Sequence, residues 1–590
     1  MVTNSTARKM KPEVIEASQH EYCDPAEDVV LDKSYPDDVN TGMAAGVERH
    51  ALIAIFFLGL AVVCPVSIGF LTVSGTLLDI GRGLNISSAA QLQWVTSGYA
   101  VGSCVSFPLA GSISDIFGRR WVIISGQVIG IAGAIVGATA TNVNTVIASG
   151  TVLGFATGIV FTIYAAVPEI CPNRYRGLGL AWIEACILFP WGTLAVLLGK
   201  EIAATIGWRW IYIIACIYGV IGVVGTAAFY FPPTRQHFDE RSKLTRFRQL
   251  DFLGLGLFVS GVTTLLIGLS WAGTTGHPWK STSVICPIVL GGVLLISAFA
   301  YDLTRGEKNH VLFPADLFSM TRKFTTALVA IFVAGMIFYS MAALLPQASL
   351  YLFSDNHIEL GLIQLPNGIG QTVGAVVGPM ILHKTKRPKY HILVALFVQT
   401  LGVGLYAWAL PKHKAAWMAF QFFGQGCFSW LSVCCIMNAG LHVKHAELGI
   451  ATGVICTFRS FGGSVGNAIF NTIRSLVLTK HLAPEVVKAA AQHGFDARNP
   501  KNVGLLLTAV AKAVVGIPYA FKNVPGANAA VELASIQAFR HAQSTAFRTV
   551  FLSTIPFGVI AIVVAFFIED ASRLMNNHVA VKLRNRRGMV

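Results

Sequence analysis

The chain has 590 residues, of which 54% are hydrophobic and only 12% charged, and its mean hydropathy is +0.62. Soluble domains run near one quarter charged, so a water-soluble protein is excluded. The formal charge of +15 would suggest a nucleic-acid partner in a soluble chain. Here it points to basic loops kept on the cytosolic side of a bilayer, and no nucleic-acid partner is expected.

Residues 1–49 hold ten Asp or Glu against five Lys or Arg and no apolar core with a cleavage site. They read as a disordered acidic cytosolic tail, not a signal peptide. Fourteen apolar blocks follow, at about 51–74, 91–113, 121–140, 145–167, 178–198, 210–230, 252–271, 283–300, 325–352, 359–382, 390–410, 415–440, 448–473 and 549–568. Each is about 20 residues long, enough for a hydrocarbon core of roughly 30 Å. Continuous apolar runs without strand alternation cross as helices, so the expected fold is an all-α membrane protein with fourteen transmembrane helices.

An even number puts both termini on one side. With cytosolic termini the inner segments hold 23 Lys or Arg and the short outer loops 6, which orients the chain by the positive-inside rule. The expected organisation is a six-helix bundle over 50–230, cytosolic loops with inserted helices 7 and 8 over 231–324, a second six-helix bundle over 325–570, and a basic cytosolic tail over 571–590. Residues 479–546 form a long outer segment. It mixes helix-like stretches with breakers at Pro500, Pro518 and Pro525 and reads as an outer cap or interfacial helix pair, or else as a gating lid. Asn85, Ile86 and Ser87 form the one glycosylation triplet in an outer loop.

The 11 cysteines avoid the outer loops, so no disulfide framework is expected. No C-x-x-C pair or zinc spacing occurs, and no metal is expected. There is no G-x-x-x-x-G-K-[ST] run, which argues against an ATP-driven pump. No H-E-x-x-H or G-x-S-x-G run supplies an enzyme's metal or nucleophile. No cofactor is expected.

The strongest local signal is GSISDIFGRR at 111–120, between the second and third blocks. Gly111 allows close packing, and Asp115 suits the positive N-terminus of a facing helix. Gly118 permits a tight turn, and Arg119 and Arg120 anchor the loop in the cytosol. This resembles the helix 2–3 loop motif of the major facilitator superfamily. A degenerate second copy, GPMILHKTKRPKY at 378–390, is expected if the chain is two related six-helix halves. QLQWVTSGYAVG at 91–102 and GWRWIYII at 207–214 resemble fourteen-span drug/proton antiporters. DFLGLGLFVSGVTTLLIGLSWAGTTGHPWKS at 251–281 and ATGVICTFRSFGGSVGNAIF at 451–470 are similar to fungal trichothecene efflux pumps and siderophore transporters. The resemblance spans about residues 50–570. It implies two six-helix bundles plus an inserted pair, a membrane transporter working by alternating access, and no enzyme.

The chain departs from that pattern. Helix 1 has no carboxylate, the helix 4 Arg is replaced at Gly150, and the helix 5 antiporter motif survives only as Pro190. In the interior of the fourteen blocks only Glu184, in the fifth, and Arg459, in the thirteenth, are charged; Glu359 stands at the very start of the tenth. A charge at membrane depth costs about 2.5–3.5 kcal/mol even on a lenient scale, so such residues face a cavity or a partner. Glu184 is either the proton-carrying carboxylate or a structural hydrogen-bonding group. Arg459 either takes a conformational or anion-contact role or acts as packing glue. Gln364, Asn367 and Gln371 are spaced i, i+3, i+7 and form one stripe, which lines the substrate pathway or joins helices. Gln127, Tyr164, Gln421, Gln425 and Asn467 are weaker candidates of the same kind, and Phe338, Tyr339, Phe422, Phe423 and Trp430 are aromatic residues able to line an apolar site or simply to face lipid or core. Glu169, Arg174 and Arg176 at the inner end of helix 4 are expected either to form an inner charge cluster with Asp115, Arg119 and Arg120 that holds one gate state, or to be a solvated loop with no such role.

The reading is export of a small organic molecule such as a toxin, drug or secondary metabolite, coupled to protons, by a monomer in the plasma membrane. Ferric siderophore uptake, a non-transporting sensor, and a vacuolar or other internal membrane remain the alternatives.

Overall fold

The computed structural model describes residues 49–84, 89–172, 175–232, 251–272, 277–305, 315–354, 356–443, 447–514 and 519–575. Asn85, Arg174, the acidic tail before 49 and most of the basic tail lie outside them. Every apolar block is helical. The helices are α1 (Arg49–Gly75), α2 (Ala89–Phe117), α3 (Arg119–Ala138), α4 (Val143–Ile170), α5 in two pieces (Arg176–Leu188 and Ala195–Thr205), α6 (Arg209–Phe229), α7 (Phe252–Trp271), α8 (Thr282–Arg305), α9 (Thr321–Leu352), α10 (His357–Thr385), α11 (Pro388–Ala409), α12 (Lys414–His442), α13 (Leu448–Gln492) and α14 (Ala529–Ala565).

Packing repeats with a shift of eight helices. In the first half α2 packs on α4, α3 on α4 and α6, and α1 on α5 and α6. In the second, α10 packs on α12, α11 on α12 and α14, and α9 on α13 and α14. These are the two six-helix bundles. α7 and α8 pack on each other, and α7 also touches α2 and α13. The bundles meet along two seams, α2 against α13 and α5 against α10. The shift of eight exchanges one seam with the other, as a pseudo-two-fold relation requires.

Eleven of the fourteen are long and apolar enough to cross a membrane; α2, α5 and α10 are the three that fall short, and α13 has the lowest hydropathy of the eleven, 1.2. These four are the seam helices, and they carry polar groups that lipid would reject. The outer helices show the converse. On α8, Val289, Val293 and Ile296 are exposed, as are Val220 and Val224 on α6 and Ile560 and Val563 on α14. Apolar surface this continuous is stable only against hydrocarbon.

Two boundaries differ from expectation. The fifth block is broken after Leu188, because Pro190 has no N–H to donate and its ring opposes a continuing helix. The 479–546 segment is largely helical. α13 runs on to Gln492, past the end expected near 473, and α14 starts at Ala529, well before 549. Between them Pro500–Val514 forms a further helix, with Pro500 at its first position, where a missing N–H costs nothing. Val486, Leu506, Val510, Phe521, Val531 and Phe539 form a separate buried core in this cap. The segment is thus a helical cap, of which the sequence showed helix-like stretches but not the shared core.

Candidate functional site

Glu184 and Arg459, far apart in sequence, meet at the junction of the two bundles. Arg459 Nη1 lies 3.3 Å from Glu184 Oε1, and the two residues are 6% and 1% exposed. Their helices, α13 and α5, hold equivalent places in the two halves. The Tyr164 hydroxyl on α4 donates to the same Glu184 oxygen at 2.8 Å. Arg459 Nη1 donates to Ser432 Oγ on α12 at 2.8 Å, and its Nε donates to the Tyr339 hydroxyl on α9 at 3.3 Å. The guanidinium sits 4.9 Å from the Phe428 ring centroid, and Phe428 stacks on Phe338 at 3.9 Å. Five helices from both bundles thus converge on one ion pair. A buried pair of this kind is tolerable only because hydrogen bonds and a ring face replace the lost water.

Ser432 and Phe428 were not distinguishable in sequence, since a Ser and a Phe inside an apolar block are ordinary core residues. Arg474 was also missed, because the thirteenth block was ended one residue before it. It sits between the Tyr351 and Phe547 rings, 5.6 and 4.6 Å from their centroids, and donates to Gln347 and Gln543. It ties α9, α13 and α14 together at the base of the cap.

The 111–120 motif makes a second charged cluster. Arg119 Nη2 is 2.8 Å from both Asp115 Oδ1 and Glu169 Oε1, and its Nη1 donates to Ser114 Oγ. The Ile450 backbone N–H, in the first turn of α13, donates to Asp115 Oδ2 at 3.2 Å. Asp115 thus spans the α2–α13 seam and meets the positive end of the opposing helix. A β-carbon on Gly111 would stand 2.6 Å from the Gly449 carbonyl oxygen, so this seam needs a glycine there. Arg120 takes another course, donating to the Ala227 carbonyl at 2.8 Å and stacking over Phe231 at 4.0 Å. Arg176 is 2% exposed; its Nε and Nη2 make no hydrogen bond, and Glu169 of the Arg119 cluster attracts it by charge.

Gly118 turns the chain from α2 to α3 at φ +91°, ψ +148°, a region open essentially to glycine. Nothing lies within 4 Å of a β-carbon built there. Gly118→Ala should therefore act through backbone strain alone, lowering unfolding stability by about 1–3 kcal/mol. The melting temperature of the purified protein reads this, and an unchanged value would refute it. At the equivalent corner after α10 the chain turns through Lys386 at φ +55°.

The amide stripe on α10 bonds within its own half. Gln364 Nε2 donates to Ser349 Oγ at 2.8 Å, as Trp417 Nε1 does at 3.2 Å, and Gln371 Nε2 donates to Asn367 Oδ1 at 2.7 Å. Gln421 Nε2 donates to the Ile363 carbonyl at 3.4 Å. Gln364 Oε1, Gln421 Oε1, both amide atoms of Gln425 and Asn467 Oδ1 are buried without a partner. Gln127 joins α3 to Thr226 of α6 at 3.0 Å, away from the seams. Among the described residues no group of His, Cys, Asp and Glu could hold a metal.

A family model described as fungal trichothecene efflux pump (TRI12) matches residues 51–589. The chain is 27% identical over 516 residues to the trichothecene efflux pump TRI12 of Fusarium sporotrichioides, covering 87% of this chain and 84% of that one. It is 24% identical to the pump of the same name from Trichoderma arundinaceum, over 91% of each. Among solved structures, the proton:xylose symporter XylE of the major facilitator superfamily superposes with a TM-score of 0.53 at 14% identity, over 88% of this chain and 96% of that one. At that identity the likeness speaks for the fold alone.

Proposed function

The chain belongs to the fungal trichothecene efflux pump family, and from this premise we propose that it exports a small organic toxin or secondary metabolite in exchange for protons. It is a multi-pass membrane transporter of the major facilitator type, not an enzyme. The proposed mechanism is alternating access, with the two bundles rocking about the central cluster. Trichothecenes, which the names of its relatives print, are the substrate class to try first.

The observation that carries the coupling proposal is the Glu184–Arg459 pair, a carboxylate and a guanidinium bridging the halves at their junction. Protonation of Glu184 would neutralise it and release Arg459, loosening the contact between bundles; deprotonation would restore the pair. One group would then answer to both proton and conformation. Gln364, Asn367, Gln371 and Asn467 are proposed to line the substrate pathway. Gly111, Asp115, Gly118, Arg119 and Arg120, with Glu169 and Arg176, are proposed to hold the inner seam closed in one state. The test is toxin export and growth of a deletion strain, with and without the gene, against a toxin panel and under iron limitation. Export that tracks the gene supports the reading. Rescue under iron limitation alone would replace it with siderophore uptake, and no flux at all with a sensor.

We further propose cytosolic termini, an external cap, action as a monomer, and the plasma membrane as the site. Lys501 is exposed on the cap. Lys501→Cys should react with an impermeant thiol reagent in intact cells, whereas Glu240→Cys should react only after permeabilisation. The opposite pattern inverts the topology.

A further inference from the structure

The α2–α3 and α10–α11 corners hold equivalent places in the two halves, at the boundary proposed as cytosolic, yet they treat their cations differently. Arg119 is buried against Asp115 and Glu169, and Arg120 turns to the Ala227 carbonyl and the Phe231 ring. After α10, by contrast, Lys384, Lys386 and Arg387 are exposed and Lys389 is half-buried. Among the described residues, Lys384, Lys386 and Arg387 make no ion pair. No Asp or Glu occurs between Glu359 and Glu447, so α10, α11 and α12 bring no carboxylate to this end. The acidic residues met here follow α14. Asp570 Oδ1 accepts from the Lys389 backbone N–H at 3.3 Å, and Glu569 precedes it. Four cations against these two carboxylates leave an excess of two positive charges at the corner.

Those cations stand on the lipid side of the bundle. Val377, Met380 and Ile381 are exposed on α10, and Lys384 follows them on the same helix face. On α11 Tyr390, Val394 and Phe397 are exposed at i, i+4 and i+7, with Arg387 at the head of the helix. Apolar stripes of this kind face hydrocarbon, and an aromatic ring at the end of one marks headgroup depth. The Arg387 guanidinium lies 6.0 Å from the Tyr390 ring centroid. We propose that the α10–α11 corner binds an anionic phospholipid, its phosphate held by Lys384, Lys386 and Arg387 and its acyl chains laid along the two exposed stripes. Basic residues at a membrane boundary attract acidic headgroups, and an arginine takes phosphate through two N–H groups. The stripes add apolar contact that free phosphate lacks. The site rests on the chain's place in a membrane and not on its cargo or its coupling ion.

Native mass spectrometry tests this by counting lipids bound to the purified full-length protein in an uncharged detergent, as dioleoyl phosphatidylserine, dioleoyl phosphatidylcholine or inorganic phosphate is added. Phosphatidylserine should bind about tenfold more tightly than phosphatidylcholine, and an equal concentration of inorganic phosphate should not displace it. The triple variant Lys384→Gln, Lys386→Gln, Arg387→Gln should lose about tenfold or more of that affinity. Should it fail to fold, Lys384→Gln alone should still weaken binding about twofold or more. Lys480→Gln, Lys501→Gln, Lys522→Gln removes the same charge from exposed positions on the cap and should bind as the wild type does. Wild-type affinity in the folded corner variants, equal loss in the cap variant, equal binding of the two lipids, or displacement by inorganic phosphate overturns the proposal.

Discussion

Glu184→Gln should abolish substrate accumulation driven by an imposed pH gradient in proteoliposomes, while downhill exchange persists. The amide cannot lose a proton, so the Arg459 contact can no longer follow the proton. It can still accept from Tyr164, which donates at 2.8 Å in the native protein, so the local geometry should survive. The cost falls on Arg459, which loses its buried counter-charge. Breaking such a pair from one side costs about 3–5 kcal/mol, part of it recovered here because Ser432 and Tyr339 still accept from the guanidinium. Arg459→Ala should destabilise more, because it removes Glu184's partner together with the contacts to Ser432, Tyr339 and the Phe428 ring. Arg459→Lys should be milder than Arg459→Ala, since the charge stays although the planar fork is lost. The double variant Glu184→Gln, Arg459→Met should regain stability without regaining coupling, which separates the two roles. Uphill transport by Glu184→Gln at the wild-type rate would make the pair purely structural. The coupling group would then have to be sought elsewhere, for example at Asp79, which pairs with Lys200 at 3.4 Å and Arg82 at 3.3 Å.

Asp115→Asn should slow transport about ten- to a hundredfold while leaving equilibrium substrate binding within about a factor of two. The magnitude is that of one hydrogen bond to a charged group, about 1.5–3 kcal/mol. The amide oxygen can still accept the Ile450 N–H, so the seam contact remains in weakened form. What goes is the negative charge facing Arg119 and the end of α13. Arg119 keeps Glu169, so folding should tolerate the change. Asp115→Ala should be more severe, because both contacts are lost. Since Asp115 lies at the seam and not in the central cluster, the effect should appear in the rate of exchange and not in affinity. Unchanged flux at normal surface expression would remove Asp115 from the proposed gate.

Much of the architecture was legible in one dimension because the bilayer is a demanding solvent. Hydrocarbon penalises every exposed polar group by kilocalories, so each span had to declare itself as an apolar block, and all fourteen blocks are helical. The motif at 111–120 was legible for a related reason, since charges and a positive-φ glycine at a membrane boundary have few other uses. Outside the hydrocarbon that constraint lapses. The 479–546 segment was therefore legible only as an outer cap or interfacial helix pair or a gating lid, and the small core its helices bury was not.

Glu184 and Arg459 could each be picked out in the sequence as a charge where none is tolerated without a partner. That each is the other's partner depended on the fold, because they sit 275 positions apart and no local periodicity links them. Only the assembled seams bring α5 and α13 together at the junction, adding Tyr164, Ser432 and Tyr339 to complete their hydrogen bonding. The same holds for Arg176, which the sequence grouped with Glu169 and Arg174 as a candidate inner charge cluster. Its surroundings are a property of packing: Glu169 hydrogen-bonds to Arg119, and the walls around Arg176 come from both bundles. Sequence alone determined where charge had to be accounted for. The tertiary structure decided which charges meet, because pairing is set by distance across seams that the chain forms only when folded.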